Sequence, residues 1–186
     1  MSTNLLELPA PLPGVRLFEP PVFTDVRGSF VKTYHENALA EKGISFTMKE
    51  EYFSISKRGV VRGMHFQIPP ADHTKVVYCA RGSVKDVVLD LRTTSPSYGK
   101  SAACILSDKN RRIFFIPPGF AHGFLSLEDE SLMVYKTSSE HSPKHDAGIR
   151  WDSFGFNWDA VDPIISARDV ALPPLAAFIS PFKKLS

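Results

Sequence analysis

Residues Val84 to Arg92 read VKDVVLDLR, and the stretch alternates with a period of two. Lys85, Val87, Leu89 and Leu91 fall on one face of an extended chain, and Asp86, Val88, Asp90 and Arg92 on the other. Both faces carry apolar residues. Working outward, short β-prone runs recur between turn residues: Val22-Phe23, Gly28 to Tyr34, Tyr52 to Ile55, Gly59 to Phe66, Lys75 to Cys79, Ala102 to Leu106, Arg112 to Ile116 and Ser131 to Thr137. Only His35 to Lys42 and the stretch Ser166 to Val170 suggest short helices. Many short strands with Gly and Pro turns predict an all-β sandwich, barrel or jelly roll, not a parallel sheet crossed by helices. At the N-terminus LELPAPLPG is proline-rich, so residues 1–13 are expected to be an irregular or edge segment.

The chain has 186 residues, 43% hydrophobic and 23% charged, which suits one compact domain with a substantial core. No internal repeat, low-complexity tract or linker marks a second domain, and residues 1–186 are read as one. The 22 basic and 20 acidic residues are spread without long single-sign blocks, which argues against a nucleic-acid-binding stripe. Cys79 and Cys104 lie in apolar, strand-like contexts without a CxxC pairing and read as buried free thiols. No stretch approaches the length of a membrane span, and the N-terminus lacks a secretory pattern; a reducing, cytosolic home is the expectation.

The most informative segment for chemistry is VVRGMHFQIPPADHTKVV, residues 60–77, with Arg62, His65 and Gln67 at the end of one strand and Lys75 at the start of the next. On an extended chain His65 and Gln67 share a face, and the two-proline loop returns Lys75 to the same side. FFIPPGFAHGF, residues 114–124, sets His122 after a tight turn at Pro117, Pro118 and Gly119. Tyr135 lies on a strand with Met133 and Thr137 on its face. Any one histidine or tyrosine in a β protein is more often structural than catalytic, but five polar side chains bordering one expected barrel mouth are hard to explain separately. His35, His141 and His145 occupy polar, turn-rich surroundings and read as solvated.

Three uses of this group stay open. A metal-dependent jelly-roll enzyme draws an HxH pair and a carboxylate from one segment and a histidine from another. The run Pro117 to His122 fits the second part, but the first reads His65-x-Gln67, and glutamine is a poor ligand for a transition metal. A sugar-binding module without catalysis is a second use. Acid-base chemistry beside a ketone, free of metal and cofactor, is the third and the favoured one. His65 titrates nearest neutrality and is the natural base, Lys75 is a permanent positive charge for an oxyanion, Tyr135 can return a proton, and Arg62 suits bidentate contact with phosphate. No Gly-rich dinucleotide loop points to hydride transfer.

Taken together these segments resemble the dTDP-4-dehydrorhamnose 3,5-epimerases, RmlC-like cupins. The likeness runs through FTDVRGSF from Phe23, SISKRGVVRGMHFQIPP, KVVYCARGSVKDVVLDLRTTSPSYG, IPPGFAHGF, VYK and SARD in the family's order. It implies a double-stranded β-helix, the cupin jelly roll, forming a homodimer that epimerises a nucleotide-diphosphate 4-keto-6-deoxy sugar without a cofactor. By motif it implies His65 as the base with Asp169 of SARD as its carboxylate, Lys75 as enolate stabiliser and Tyr135 as acid. Arg62 would be a phosphate or sugar ligand and His122 a pocket residue, while Arg27 and Phe30 would reach the partner's nucleotide site. The chain departs from the family at Lys32, usually Glu, at Glu50 and Tyr52, usually Gln and Asn, and at Glu140 and His141, where an aromatic residue commonly stacks. Charge in place of amides and stacking area alters which base or sugar the recognition surface accepts.

Overall fold

The computed structural model describes residues 4–183. In chain order its strands are β1 Leu6–Leu8, β2 Arg16–Glu19, β3 Val22–Asp25, β4 Gly28–Val31, β5 Glu50–Ser56, β6 Val61–Gln67, β7 Lys75–Arg81, β8 Ser83–Asp90, β9 Ser101–Ser107, β10 Ile113–Ile116, β11 Phe120–Ser126, β12 Ser131–Thr137 and β13 Asp146–Gly148. Two short helices interrupt them, α1 Glu36–Ala40 and α2 Ala167–Val170. Both start on side-chain caps: His35 Nδ1 accepts from the Ala38 N–H and Ser166 Oγ from the Asp169 N–H.

One sheet has six strands in the order β1-β2-β10-β7-β12-β5, a second has five in the order β13-β6-β11-β8-β9, and β3 with β4 forms a separate hairpin. From β5 to β13 the chain crosses between the two large sheets at every step but β8 to β9. This is the expected jelly roll.

The sheets meet over a core in which Val77, Phe114, Met133 and Tyr135 of the larger face Val84, Val88, Phe120 and Phe124 of the smaller. Val87, Leu89 and Leu91 point the other way, into a second cluster with Ile149, Trp158 and Phe182 of the C-terminal segment. The apolar character of both faces of the Val84 to Arg92 stretch thus has a physical cause: its sheet is covered on both sides. Each such side chain contributes about 1.5–3 kcal/mol on burial. On the outer face of the larger sheet, Phe18, Val76 and Ile113 pack on Ala38 and Leu39 of α1.

Four strands went unread in the sequence. Leu6–Leu8 is an edge strand paired with β2, so residues 1–13 are not irregular throughout; residues 1–3 lie outside the described chain. Phe120–Ser126, which the sequence marks only as following the turn at Pro117, Pro118 and Gly119, is a strand, fully buried and central. Its alternation is masked because both of its faces are covered and Gly123 interrupts it. β4 stops at Val31, short of Tyr34. Cys79 is buried and Cys104 half-buried, both free, and burial pushes both thiols up, Cys79 to about 12.

Candidate active site

β6 and β11 pair with His65 directly opposite His122, and the register slips between His122 and Phe124. Two glycines permit this close approach. A Cβ on Gly63, whose φ is +135°, would stand 2.6 Å from Gly123 Cα, and one on Gly123 would stand 2.6 Å from the Arg62 carbonyl. The two imidazoles therefore enter one cavity of about 420 Å³ between the sheets.

His65 Nε2 lies 2.7 Å from Asp169 Oδ1, and Asp169 Oδ2 accepts the Gly63 N–H at 3.2 Å. Burial pushes the Asp169 carboxyl up, but the His65 contact and the Gly63 N–H outweigh it and hold the group below the usual carboxylate range. An ionised Asp169 is an acceptor only, so the His65 proton sits on Nε2 and the Nδ1 lone pair is free for a substrate. Burial lowers the His65 pKa despite Asp169, which keeps the ring neutral at pH 7. His122 Nε2 makes a parallel pair with Asp86, 2.9 Å from both carboxylate oxygens, with both residues buried. Burial raises the Asp86 pKa, opposed by His122.

Lys75 starts β7 on the other sheet and donates from Nζ to the His65 carbonyl at 3.0 Å. Its burial pushes the ammonium down to about 8, which corrects the reading of a permanent charge: this cation titrates close to neutrality. Tyr135, on β12 of the same sheet, lies 3.3 Å from Ser54 Oγ through its hydroxyl, and burial holds it protonated far above neutral pH. Tyr52 stacks on it, with ring centroids 4.8 Å apart and planes at 14°. His65 and Tyr135 thus belong to opposite walls of one cavity.

At the mouth, Arg62 is exposed and donates to Ser56 Oγ at 3.0 Å and to the Ile55 carbonyl at 3.2 Å. Glu50 lines the cavity too and accepts the His141 N–H at 2.8 Å. Gln67 also lines it, but its amide is taken up by the Ala71 and Glu140 carbonyls and the Ser142 N–H, so it ties two loops together and is not a free ligand. Lys32, Arg27 and Phe30 lie outside this cavity: Arg27 is exposed on the β3–β4 hairpin and pairs with Asp25, and Phe30 is 54% exposed. His35 caps α1 and His145 Nδ1 lies 2.8 Å from Ser142 Oγ, so neither is merely solvated. His141 is exposed yet reaches the cavity rim, which corrects its dismissal, and Glu140 is exposed.

Sequence reasoning missed Asp86, Ser54, His73, Asp146 and Arg168 here. Asp86 had a signal: a carboxylate between Val84 and Val88 on an inward face needs a partner. Asp169 came only through the family resemblance, 104 residues from His65. Among the described residues no group of three or more His, Cys, Asp or Glu side chains is placed to hold a metal ion, and no helix is long and apolar enough to cross a membrane.

Residues 9–177 match the sequence profile of the dTDP-4-dehydrorhamnose 3,5-epimerases. The chain belongs to the dTDP-4-dehydrorhamnose 3,5-epimerase family. It is 44% identical over 169 residues to the dTDP-4-dehydrorhamnose 3,5-epimerase of Methanothermobacter thermautotrophicus, covering 88% of this chain and 91% of that one. It is similar to the Bacillus anthracis dTDP-4-dehydrorhamnose 3,5-epimerase crystallised with TDP and pyrophosphate, at a TM-score of 0.90 and 33% identity over 92% of this chain and all of that one. A Legionella pneumophila epimerase solved with dTDP-4-keto-L-rhamnose superposes at 0.92 with 28% identity, over 98% of this chain and all of that one. Membership in the dTDP-4-dehydrorhamnose 3,5-epimerase family makes this an isomerase and selects, from the three uses left open by the sequence, the epimerase.

Proposed function

We propose that the chain inverts C3, C5 or both in a nucleotide-diphosphate 4-keto-6-deoxyhexose, by proton transfer through an enolate and without a cofactor. His65 Nδ1 removes the proton from the carbon beside the ketone, and the electron pair of that C–H bond moves onto the ketone oxygen. The Lys75 ammonium faces the resulting oxyanion. The Tyr135 hydroxyl returns a proton to the carbon from the other side, inverting it, and both groups then re-equilibrate with solvent. Arg62 takes the diphosphate. The observation that carries this reading is the opposition across one cavity of the His65–Asp169 pair, at 2.7 Å, and Tyr135 on the facing sheet.

The exposed β3–β4 hairpin, with Arg27 and Phe30 away from this chain's own cavity, supports a homodimer in which the hairpin completes the partner's nucleotide site, with Lys32 just beyond it. Glu50, Glu140 and His141 then set the preference for base and sugar. The reading places one enzyme domain in the cytoplasm. Incubation in heavy water with dTDP-, CDP-, GDP- and UDP-linked 4-keto-6-deoxy sugars, followed by NMR, tests it. Deuterium at C3 or C5 with at least one of them is expected; no uptake with any refutes it.

A further inference from the structure

Tyr52 stands on β5, the edge strand of the six-stranded sheet, directly opposite Tyr135 in the β12 register. Alternation along β5 sends Glu50, Tyr52 and Ser54 to one face, and all three line the cavity. Each grips something different. Glu50 accepts the His141 N–H, Tyr52 stacks on the Tyr135 ring, and Ser54 meets the Tyr135 hydroxyl at 3.3 Å. The Tyr135 ring also makes a T-shaped contact with the His122 ring, with centroids 6.1 Å apart at 68°.

Tyr135 is 7% exposed and Tyr52 is 41% exposed, so Tyr52 is the lid of the pair and closes the acid's ring from the cavity mouth. A phenol that must hand its proton to one face of a carbon needs its ring plane fixed, because a swing about χ1 carries the oxygen by ångströms and a turn about χ2 re-aims the O–H, which lies in the plane of the ring. The Ser54 contact fixes only the oxygen, and at 3.3 Å it is long for a bond between hydroxyls. The parallel ring at 4.8 Å is the element that defines the plane.

We propose that Tyr52 is a positioning residue for the proton donor: its ring, stacked face to face on Tyr135 from the edge strand β5, clamps the phenol in the orientation that returns the proton. This rests on the proposed role of Tyr135 as acid. The clamp acts through the ring face of Tyr52 and not through its hydroxyl, so it belongs to turnover and not to substrate affinity.

The test compares Tyr52→Asn, Tyr52→Phe and the unchanged enzyme, using the best 4-keto sugar nucleotide. A stacked aromatic pair sets an effect of about five- to tenfold. Tyr52→Asn is expected to lower kcat by that factor with KM within about twofold, and Tyr52→Phe to recover most of the loss. An effect confined to KM, an unchanged kcat in Tyr52→Asn, or a loss in Tyr52→Phe as large as in Tyr52→Asn overturns the clamp. NMR reads the clamp independently of turnover. The Tyr135 ring protons carry a ring-current shift from Tyr52 that persists in Tyr52→Phe and collapses in Tyr52→Asn. If that shift does not collapse, the clamp is refuted. If kcat holds in Tyr52→Asn while Tyr135→Phe loses epimer formation, the clamp fails and the acid role stands; if Tyr135→Phe keeps epimer formation too, the mechanistic reading fails.

Discussion

Replacing Lys75 with Met should abolish the activity and stabilise the protein at the same time, the combination expected of a desolvated charge. The burial of Lys75 lowers its pKa from 10.5 to about 8. At pH 7 both folded and unfolded chains carry the proton, and the folded one bears a cost of about 3 kcal/mol for holding it. Between about pH 8 and 10.5 the folded state has released a proton that the unfolded state still binds, so this group makes stability rise with pH through that window. Lys75→Met removes the cost at neutral pH but also removes the bond from Nζ to the His65 carbonyl, worth about 1–2 kcal/mol. The variant should thus be about 1–2 kcal/mol more stable than the parent at pH 7, and that advantage should shrink by about 2–3 kcal/mol by pH 10. Urea unfolding of both proteins at equal concentration at pH 7 and pH 10 measures this, and differencing the pair cancels every other titrating group. Heavy-water exchange in the variant should fall about 10²-fold or more. A stability gap that stays constant between the two pH values would refute the argument that burial sets the Lys75 charge.

Asp169→Asn should lower exchange at neutral pH by about 10²–10⁴-fold, because it removes the acceptor that fixes the His65 tautomer; a loss below about fivefold would count against the pair. Tyr135→Phe should separate the two half-reactions, leaving deuterium uptake with retained configuration while epimer formation falls about 10²-fold, as read by NMR of the sugar. With His65 as base and Lys75 as oxyanion partner, kcat/KM should rise as His65 deprotonates below pH 6.5 and fall as Lys75 loses its proton at about 8; a flat profile to pH 10 would refute the Lys75 role. Mixing inactive His65→Asn with inactive Arg27→Glu protein should restore activity, since one cavity of the mixed dimer then has both an intact base and an intact hairpin; no recovery after subunit exchange would argue against a hairpin given in trans.

The strand pattern was legible wherever one physical rule dominated. Val84 to Arg92 alternates, and it is a strand. Phe120–Ser126 does not, because both faces of its sheet are covered, one by the other sheet and one by residues beyond Ile149, so the polar half of the alternation is missing. Within the site, His65, Lys75, His122 and Tyr135 were readable because unlike polar groups recur on otherwise apolar strands. Asp169 was not, because its helix touches the sheet only in three dimensions, and nothing in four residues after Ser166 signals which strand they cap. Gln67 shows the converse. Its face was read correctly, but its amide is consumed by loop backbone, which no spacing rule reveals.

Placing the proposed base and acid on different sheets follows from the crossing topology: β6 and β12 lie in separate layers, so two groups on inward faces necessarily flank whatever occupies the space between. Inversion needs that flanking arrangement, and the sandwich supplies it from rigid strands. The same enclosure lowers the Lys75 pKa and raises that of the Asp86 carboxyl, so the cavity holds groups whose ionisation burial opposes. A ketone does little to relieve this, whereas an enolate oxygen against Lys75 restores the ammonium's preference for its proton. In the proposed mechanism the interaction therefore strengthens as the C–H bond breaks, and that difference, not the affinity for the ketone, is what would lower the barrier.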